Sequence, residues 1–183
     1  MIREIVLYGD PVLRLKCPPV KEITPAILAL SEDMIETMHA AEGVGLAAPQ
    51  IGESLRLAVI DVTGAENPCT YLRVDGKDVP LEEMMPLKFV NPTLSMGKEK
   101  AFMNEGCLSF PEIRTEIRRG DAVTASLTLL DGRAITLETD GLLSRAIQHE
   151  TDHLNGILFI DRASPAAKLG LKKKIKKMWD EYA

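Results

Sequence analysis

Two histidines and a glutamate in the last quarter of the chain have the spacing of a metal-binding helix. The segment His149-Glu150-Thr151-Asp152-His153 matches the pattern HExxH within a stretch of helical periodicity. Because residues four apart lie one turn above each other, both imidazoles can reach one metal ion. The carboxylate of Glu150 comes from the adjacent position and can reach water at that ion. The pattern predicts a catalytic metal site, and a pair of partly buried histidines beside solvated acids is the alternative.

A catalytic metal of this type usually has three protein ligands and one open position, so a third ligand must come from elsewhere. No histidine follows His153, and Phe159 stands where the long metzincin pattern has its third histidine. The two acids of the lysine-rich tail, Asp180 and Glu181, are poorly placed to serve as this third ligand. Cys107 is the best candidate, because it lies in residues 104–111, where a glycine permits close backbone approach and both flanks are polar. Its thiolate would complete a Cys-His-His set with one position left for water.

Length and composition predict one soluble domain. The 183 residues are 45% apolar and 27% charged. A chain of this size can fold without a structural metal ion, so we expect any bound metal to be catalytic. No stretch approaches the roughly 18 apolar residues of a membrane span, and the N-terminus lacks signal-peptide character. Three cysteines are an odd number, which argues against a disulfide framework. We therefore predict a cytosolic protein in which Cys17, Cys69 and His39 are replaceable.

The net charge of −5 combines an acidic body with a basic tail. Residues 168–183 contain six lysines and two acids, a net charge of +4, which leaves −9 for residues 1–167. An acidic body argues against a nucleic-acid-binding domain. We predict a single catalytic domain over residues 1–183, with a body over 1–163 and a basic C-terminal helix over 164–183.

The elements that must position these residues follow from the apolar periodicity. A first helix begins at Thr24 and Pro25 and ends before Gly43. Strands are predicted over residues 55–61 and 87–96, and a hairpin over 122–130 and 134–137. Residues 63–86 read as an irregular excursion with a short hairpin around Asp75-Gly76.

The metal-binding helix is predicted over residues 142–154, with Asp140 as its cap and Gly156 as its stop. A short strand over 158–160 and a final helix opened by Ser164 and Pro165 follow. Strands in a run between helices predict an α+β domain, with mostly antiparallel strands around the central HExxH helix.

Three segments resemble the motifs of the peptide deformylase family. Residues 43–50, GVGLAAPQ, are similar to the first motif, residues 105–109, EGCLS, to the second, and residues 149–153 to the third, in the same order and at similar spacing. The resemblance extends from Ile2 to about Phe159. It implies a metal-dependent hydrolase that removes the N-formyl group from the formylmethionine of nascent polypeptides and releases formate.

By motif position, the resemblance implies that Cys107, His149 and His153 hold one divalent ion, natively Fe2+ in the family, with Zn2+ or Ni2+ as substitutes. One thiolate and two neutral imidazoles leave a divalent complex with a single net positive charge. Such a complex can supply hydroxide near neutral pH.

The resemblance also implies roles in substrate binding and proton transfer. The Gln50 amide and the Leu108 backbone N–H would stabilise the oxyanion, and Glu150 would carry the proton from water to the departing nitrogen. The Gly45 backbone would pair with the peptide. The candidates for a methionine pocket are Val44, Leu142 and Ala146, of which Leu142 and Ala146 could equally be ordinary core.

Two other functions stay open: a zinc endopeptidase that uses the same helix, and a non-catalytic domain with a structural metal. The endopeptidase needs a ligand after His153, and a structural site needs four ligands where three converge.

The tail helix also has two interpretations. One is docking on the body through its apolar residues, which are Leu169, Ile175, Met178 and Trp179, and the other is a contact with ribosomal RNA phosphates. We expect a monomer that binds neither DNA nor membrane. The chain is longer than the shortest deformylases within residues 63–86, and a loop there that covered the site would alter which peptides are accepted.

Overall fold

A seven-stranded antiparallel sheet organises the part of the chain that the structure describes, residues 1–182 of a computed structural model. Its strands and those of a separate hairpin are β1 (Gly45–Ala47), β2 (Leu57–Ile60), β3 (Leu72–Val74), β4 (Lys77–Asp78), β5 (Leu87–Met96), β6 (Lys100–Cys107), β7 (Phe110–Gly120), β8 (Val123–Leu129) and β9 (Ala134–Thr139). The helices are α1 (Pro25–Ala40), α2 (Leu81–Met84), α3 (Gly141–Leu154) and α4 (Pro165–Tyr182). The large sheet has the order β1-β2-β5-β8-β9-β3-β4, and β6 pairs with β7 alone. The predicted α+β class with mostly antiparallel strands is confirmed.

Helices cover both faces of the large sheet. In β2, Ala58 and Ile60 join the core against α3, while Leu57 and Val59 join the core against α1. Side chains alternate between the faces of a strand, so a strand that is buried on both faces carries an unbroken apolar run. This arrangement places α3, the predicted metal-binding helix, between the large sheet and the β6–β7 hairpin.

A third core lies beneath the β6–β7 hairpin and α4. Ser164 begins α4 by accepting a hydrogen bond from the Ala167 N–H at 3.1 Å, as the sequence predicts for this helix start. The expected apolar contacts of α4 need one correction. Leu169 is 67% exposed and Leu171 is 3% exposed, because Leu171 shares the helix face of Met178 that packs on the core. The lysines of α4 face solvent.

Three local predictions meet different outcomes. The hairpin around Asp75 is confirmed as β3 and β4. The strand predicted over residues 158–160 is wrong: a 3-10 turn spans Phe159–Arg162, and the Leu158 N–H donates to the carboxylate of Asp161. Asp140 occupies the cap position of α3, but its carboxylate accepts hydrogen bonds from the backbone and hydroxyl of Thr70 instead of from the helix.

None of the helices within residues 1–182 combines the length and the apolar character that are needed to cross a lipid bilayer.

Candidate metal centre

Helix α3 presents both histidines of the HExxH segment on its buried side. His149 is 8% exposed, His153 is 1% exposed, and Glu150 between them is 4% exposed. The start of the helix is fixed by the segment before it, because the Leu143 N–H donates to the Pro68 carbonyl at 2.9 Å. Gly141 adopts a φ of +62°, and a Cβ there would lie 3.1 Å from the same carbonyl. The close approach of residue 68 therefore favours glycine at the first turn of α3.

Cys107 lies at the end of β6, where the register with β7 shifts. Its Sγ lies 3.4 Å from Nε2 of His153. In the described part of the chain, Cys107, His149 and His153 form a group whose potential ligand atoms all lie within 4.8 Å of one another. A thiolate and two imidazoles are a common donor set for zinc or ferrous iron, and a three-residue set leaves a position for water or substrate. These residues therefore fit one divalent metal ion.

A buried carboxylate orients the first histidine. Nδ1 of His149 lies 2.5 Å from Oε1 of Glu105, which fixes that nitrogen as the donor and leaves Nε2 for a metal ion. Burial alone would raise the pKa of the Glu105 carboxyl. The hydrogen bonds from His149 and Arg119 more than offset burial and hold that pKa well below its usual range. Glu105 is therefore a permanently charged acceptor.

Two buried guanidinium groups hold Glu105. Arg119 donates to both carboxylate oxygens of Glu105 at 2.8 and 2.9 Å, and its Nη1 donates to Asp152 at 2.9 Å. Asp152 also accepts two hydrogen bonds from Arg162, at 2.6 and 2.8 Å. Arg145 donates to Oε2 of Glu105 at 2.9 Å from the other side. Asp152 therefore holds Arg119, which in turn holds Glu105.

Glu150 lies against the backbone of β1. A Cβ at residue 45 would lie 2.6 Å from Oε1 of Glu150, so Gly45 is the residue that leaves room for this carboxylate. Oε2 of Glu150 has no hydrogen-bond partner within residues 1–182. Burial raises the pKa of Glu150 to about 7, so the carboxyl exchanges a proton near neutral pH.

His153 stays neutral. Its burial and the nearby charge of His149 lower the pKa of His153 well below its usual value. A neutral imidazole is the form that binds a metal ion.

Gln50 approaches the site from the 3-10 turn that follows β1. Its Oε1 accepts a hydrogen bond from the Ala47 N–H at 3.0 Å, which orients the amide. Its Nε2 then points to Sγ of Cys107 at 3.4 Å and to Oγ of Ser109 at 3.2 Å. The amide N–H groups of Gln50 therefore lie directly beside the proposed thiolate ligand.

A cavity of about 670 Å³ opens in front of these groups. Its lining includes all three expected pocket residues, together with Leu108 and the backbone of Gly45. Val44 is 40% exposed, Leu142 is half-buried and Ala146 is buried, so the three range from the rim to the wall. The cavity is wide enough for a side chain and part of a peptide backbone.

The remaining cysteines and histidine lie away from the metal group. His39 pairs with Asp61 at 3.0 Å at the end of α1, Cys17 is buried under the end of α3, and Cys69 packs beside the core of the large sheet. Residues 63–86 do not line the cavity, so the loop does not cover the site. They pair with β9 and hold the first turn of α3 instead.

Glu105, Arg119 and Arg145 have roles at the site that were not predicted from the sequence. One signal was available, because Glu105 lies two residues before Cys107 and residues two apart share a face of a strand. A second was the position of Arg145 one turn before His149 on the same helix stripe. Neither signal shows which residues pair with each other, because the pairing of β6 with β7 is what brings Glu105 to Arg119.

A buried HExxH helix that meets a cysteine at the wall of an open cavity, on a mostly antiparallel α+β scaffold, defines a metal-dependent hydrolase. Matches to known proteins give the family. The chain belongs to the polypeptide deformylase family, whose model matches residues 2–169.

Relatives and solved structures agree with this membership. A peptide deformylase of Methylacidiphilum infernorum (isolate V4) is 46% identical over 178 residues, which cover 97% of this chain and 93% of that protein. The crystal structure of peptide deformylase from Thermus thermophilus has a TM-score of 0.80 and 36% identity, and the match covers 99% of both chains. A peptide deformylase from Synechococcus elongatus in complex with actinonin also has a TM-score of 0.80, at 34% identity, with 96% of this chain and 85% of that chain covered.

Proposed function

We propose that this protein removes the N-formyl group from the N-terminal formylmethionine of nascent polypeptides and releases formate. The observation that carries the proposal is the meeting of Cys107, His149 and His153 beside Glu150 and Gln50 at one cavity. Family membership supports the same reaction over the two alternatives, an endopeptidase and a structural metal domain.

In this proposal, Cys107, His149 and His153 hold one divalent ion. When bound there, the ion supplies Lewis-acid polarisation of the formyl oxygen and lowers the pKa of a water molecule. We propose Fe2+ as the ion in the cell, with Zn2+ or Ni2+ able to replace it. Metal analysis of protein purified anaerobically from cells grown without added metal tests this choice, and a preparation that contains zinc alone contradicts it.

Two neutral donors are proposed to receive the negative charge that develops on the formyl oxygen. They are the side-chain amide of Gln50 and the backbone N–H of Leu108. The contact between Gln50 and Ala47 keeps the amide oriented before substrate arrives, and fixed donors of this kind cost no reorganisation during the reaction.

Glu150 is proposed to accept the proton of the attacking water and to deliver it to the departing nitrogen. A buried carboxyl whose pKa is raised to about 7 can do both near neutral pH. Its unpartnered Oε2 has room for that hydrogen bond. The oxygen of the water bonds to the formyl carbon and the C–N bond of the formamide breaks. The peptide leaves as a free amine that has taken the proton from Glu150, and formate carries the oxygen of the water beside the formyl oxygen.

Val44, Leu142 and Ala146 are proposed to bind the methionine side chain, and the Gly45 backbone to pair with the peptide. Leu142 and Ala146 precede His149 by seven and three residues on one helix stripe, so an apolar slot there lies beside the metal group.

Incubation of anaerobically purified protein with formyl-Met-Ala-Ser and an assay of formate test the function. We expect formate release with iron, nickel or zinc bound. Absence of formate with all three metals, together with cleavage of internal peptide bonds, would support the endopeptidase. Absence of both activities would support the structural metal domain.

The basic C-terminal helix has a proposed role in binding outside the metal centre. We propose that residues 1–183 form a single catalytic domain, with a body over 1–163 and a basic C-terminal helix over 164–183 that contacts ribosomal RNA. Its exposed lysines favour phosphates, and Trp179 anchors the helix by donating to the Tyr8 carbonyl at 2.6 Å. Co-sedimentation with ribosomes at low salt tests this, and unchanged binding after removal of residues 168–183 contradicts it.

The protein is further proposed to act as a monomer in the cytosol. A reducing compartment keeps the Cys107 thiolate available, and formylated chains emerge there. Sedimentation analysis and cell fractionation test these two statements.

A further inference from the structure

Arg145 is a buried cation one turn before His149 on α3, and its side chain is 5% exposed. Its Nη1 donates to Oε2 of Glu105 at 2.9 Å and to the Ile117 carbonyl at 3.0 Å. Its Nη2 donates to the Ala101 carbonyl at 2.9 Å. One guanidinium group therefore joins α3 to both strands of the β6–β7 hairpin and to the carboxylate that orients His149.

These contacts connect the two elements that carry the proposed metal ligands. Cys107 ends strand β6, while His149 and His153 lie on α3. The Ala101 carbonyl is on β6 and the Ile117 carbonyl is on β7, so Arg145 fixes the distance between the hairpin and the helix. A planar fork with several donors can hold two carbonyls and a carboxylate at once, and an ammonium cannot match that geometry.

Glu105 also depends on Arg145 for its orientation. The oxygen that accepts from His149, Oε1, receives a second hydrogen bond from Arg119. The other oxygen, Oε2, is held between Arg119 and Arg145. Loss of Arg145 removes one of the two donors to Oε2, and the position of Glu105 relative to α3 then depends on Arg119 and His149 alone.

We propose that Arg145 is a positioning residue for the metal centre: through Glu105 it sets the direction of the His149 imidazole, and through the two carbonyls it sets the separation of Cys107 from the histidines. This inference rests on the proposed ligand set. Arg145 also lines the cavity, so its substitution must keep an apolar wall if metal effects are to be separated from substrate effects.

The test compares Arg145→Met, Arg145→Lys and the control Arg118→Met. Methionine keeps an unbranched apolar chain at the cavity wall, and lysine keeps the charge without the fork. Arg118 lies on the same strand as Ile117, is exposed, and stands over the ring of Phe102 instead of contacting Glu105. Each protein is loaded with Co2+, and its visible absorption, its affinity for Co2+ against a chelator and its kcat and KM are measured.

We expect Arg145→Met to bind Co2+ about 10 to 100-fold more weakly, the usual effect of removing a residue that orients a ligand. The absorption of the cobalt complex should shift, because the imidazole is no longer fixed. Arg145→Lys should recover part of the affinity, and Arg118→Met should match the parent protein. KM for formyl-Met-Ala-Ser should stay within about threefold for Arg145→Met, while kcat falls.

Equal Co2+ affinity and an identical cobalt spectrum in Arg145→Met and the parent protein would overturn the inference. Thermal unfolding without metal identifies a variant that fails to fold. If Arg145→Met does not fold, the test rests on Arg145→Lys. A lysine variant with the Co2+ affinity and the cobalt spectrum of the parent protein would show that the guanidinium group is not required. Failure of the proposed ligand set looks different: the parent protein would give a cobalt spectrum that Cys107→Ser leaves unchanged.

Discussion

Nδ1 of His149 lies 2.5 Å from Oε1 of Glu105, and both side chains are more than nine-tenths buried. Because the pKa of Glu105 is held low, the carboxylate accepts and the imidazole donates. The pairing fixes Nδ1 of His149 as the donor and leaves its Nε2 on the side of Cys107 and His153. An orienting carboxylate of this kind makes the imidazole a fixed ligand before any metal ion binds.

Replacement of Glu105 by glutamine should weaken metal binding. Glutamine keeps the size of the side chain, but it removes the charge that faces Arg119 and Arg145. We expect a loss of about 10 to 100-fold in metal affinity, measured by chelator competition. Glu116→Gln, on the exposed side of β7, is the matched control and should leave affinity unchanged. Equal affinities for the two variants would show that the negative charge of Glu105 is not needed to hold His149.

Replacement of Glu150 by glutamine should separate metal binding from turnover. The amide fills the same space beside Gly45 but cannot accept and return a proton. We expect unchanged metal content and a fall in kcat of about 10² to 10⁴-fold, measured by formate release. A variant that keeps more than a tenth of the parent kcat with full metal content would exclude Glu150 as the proton carrier.

The catalytic segments could be predicted from the sequence because each carries its signal locally. Two imidazoles at helical spacing, a cysteine after a glycine and an apolar helix stripe need no knowledge of the rest of the chain. The supports of the site could not be predicted in this way. Glu105 and Arg119 are fourteen residues apart, and their contact exists only because β6 and β7 pair.

The 3-10 turn at residues 159–162 also depends on contacts that are distant in the sequence and could not be predicted from it. An apolar triplet reads as a strand when no neighbour is known. In the folded chain, the Asp161 carboxylate caps the Leu158 N–H and Arg14 pairs with the same acid at 2.6 Å. Those contacts favour a 3-10 turn at this position, and one of them comes from the opposite end of the sequence.

Replacement of Gln50 should test the proposed oxyanion donor. Gln50→Glu keeps the acceptor for the Ala47 N–H but loses the donors that face Cys107, while Gln50→Ala loses both. We expect each variant to lower kcat by about 10² to 10³-fold, because one fixed donor is lost. Full activity in Gln50→Glu would show that the amide contributes only its contact with Ala47.

A methyl group at residue 45 should displace the proton carrier. The added Cβ of Gly45→Ala would lie 2.6 Å from Oε1 of Glu150, which is closer than real contacts allow. The carboxylate must move, so we expect kcat to fall while metal content is retained. Gly64→Ala is the control, because a Cβ there meets nothing within 4 Å. Equal kcat values for the two variants would mean that the position of Glu150 does not limit the reaction.

Removal of the Thr70 hydroxyl should loosen the first turn of the metal helix. Thr70→Val keeps the backbone hydrogen bond to Asp140 and loses the side-chain one, at an exposed site. We expect a loss of about 1 kcal/mol in the free energy of unfolding. For a chain of this length, that loss lowers Tm by about 2 to 4 °C. Thr93→Val, an exposed position on β5, serves as the control for the change of side chain. Faster hydrogen exchange at the Leu143 amide in Thr70→Val alone would locate the effect at the start of α3. Matching melting curves for the two variants would mean that residues 63–86 do not support this helix through Thr70.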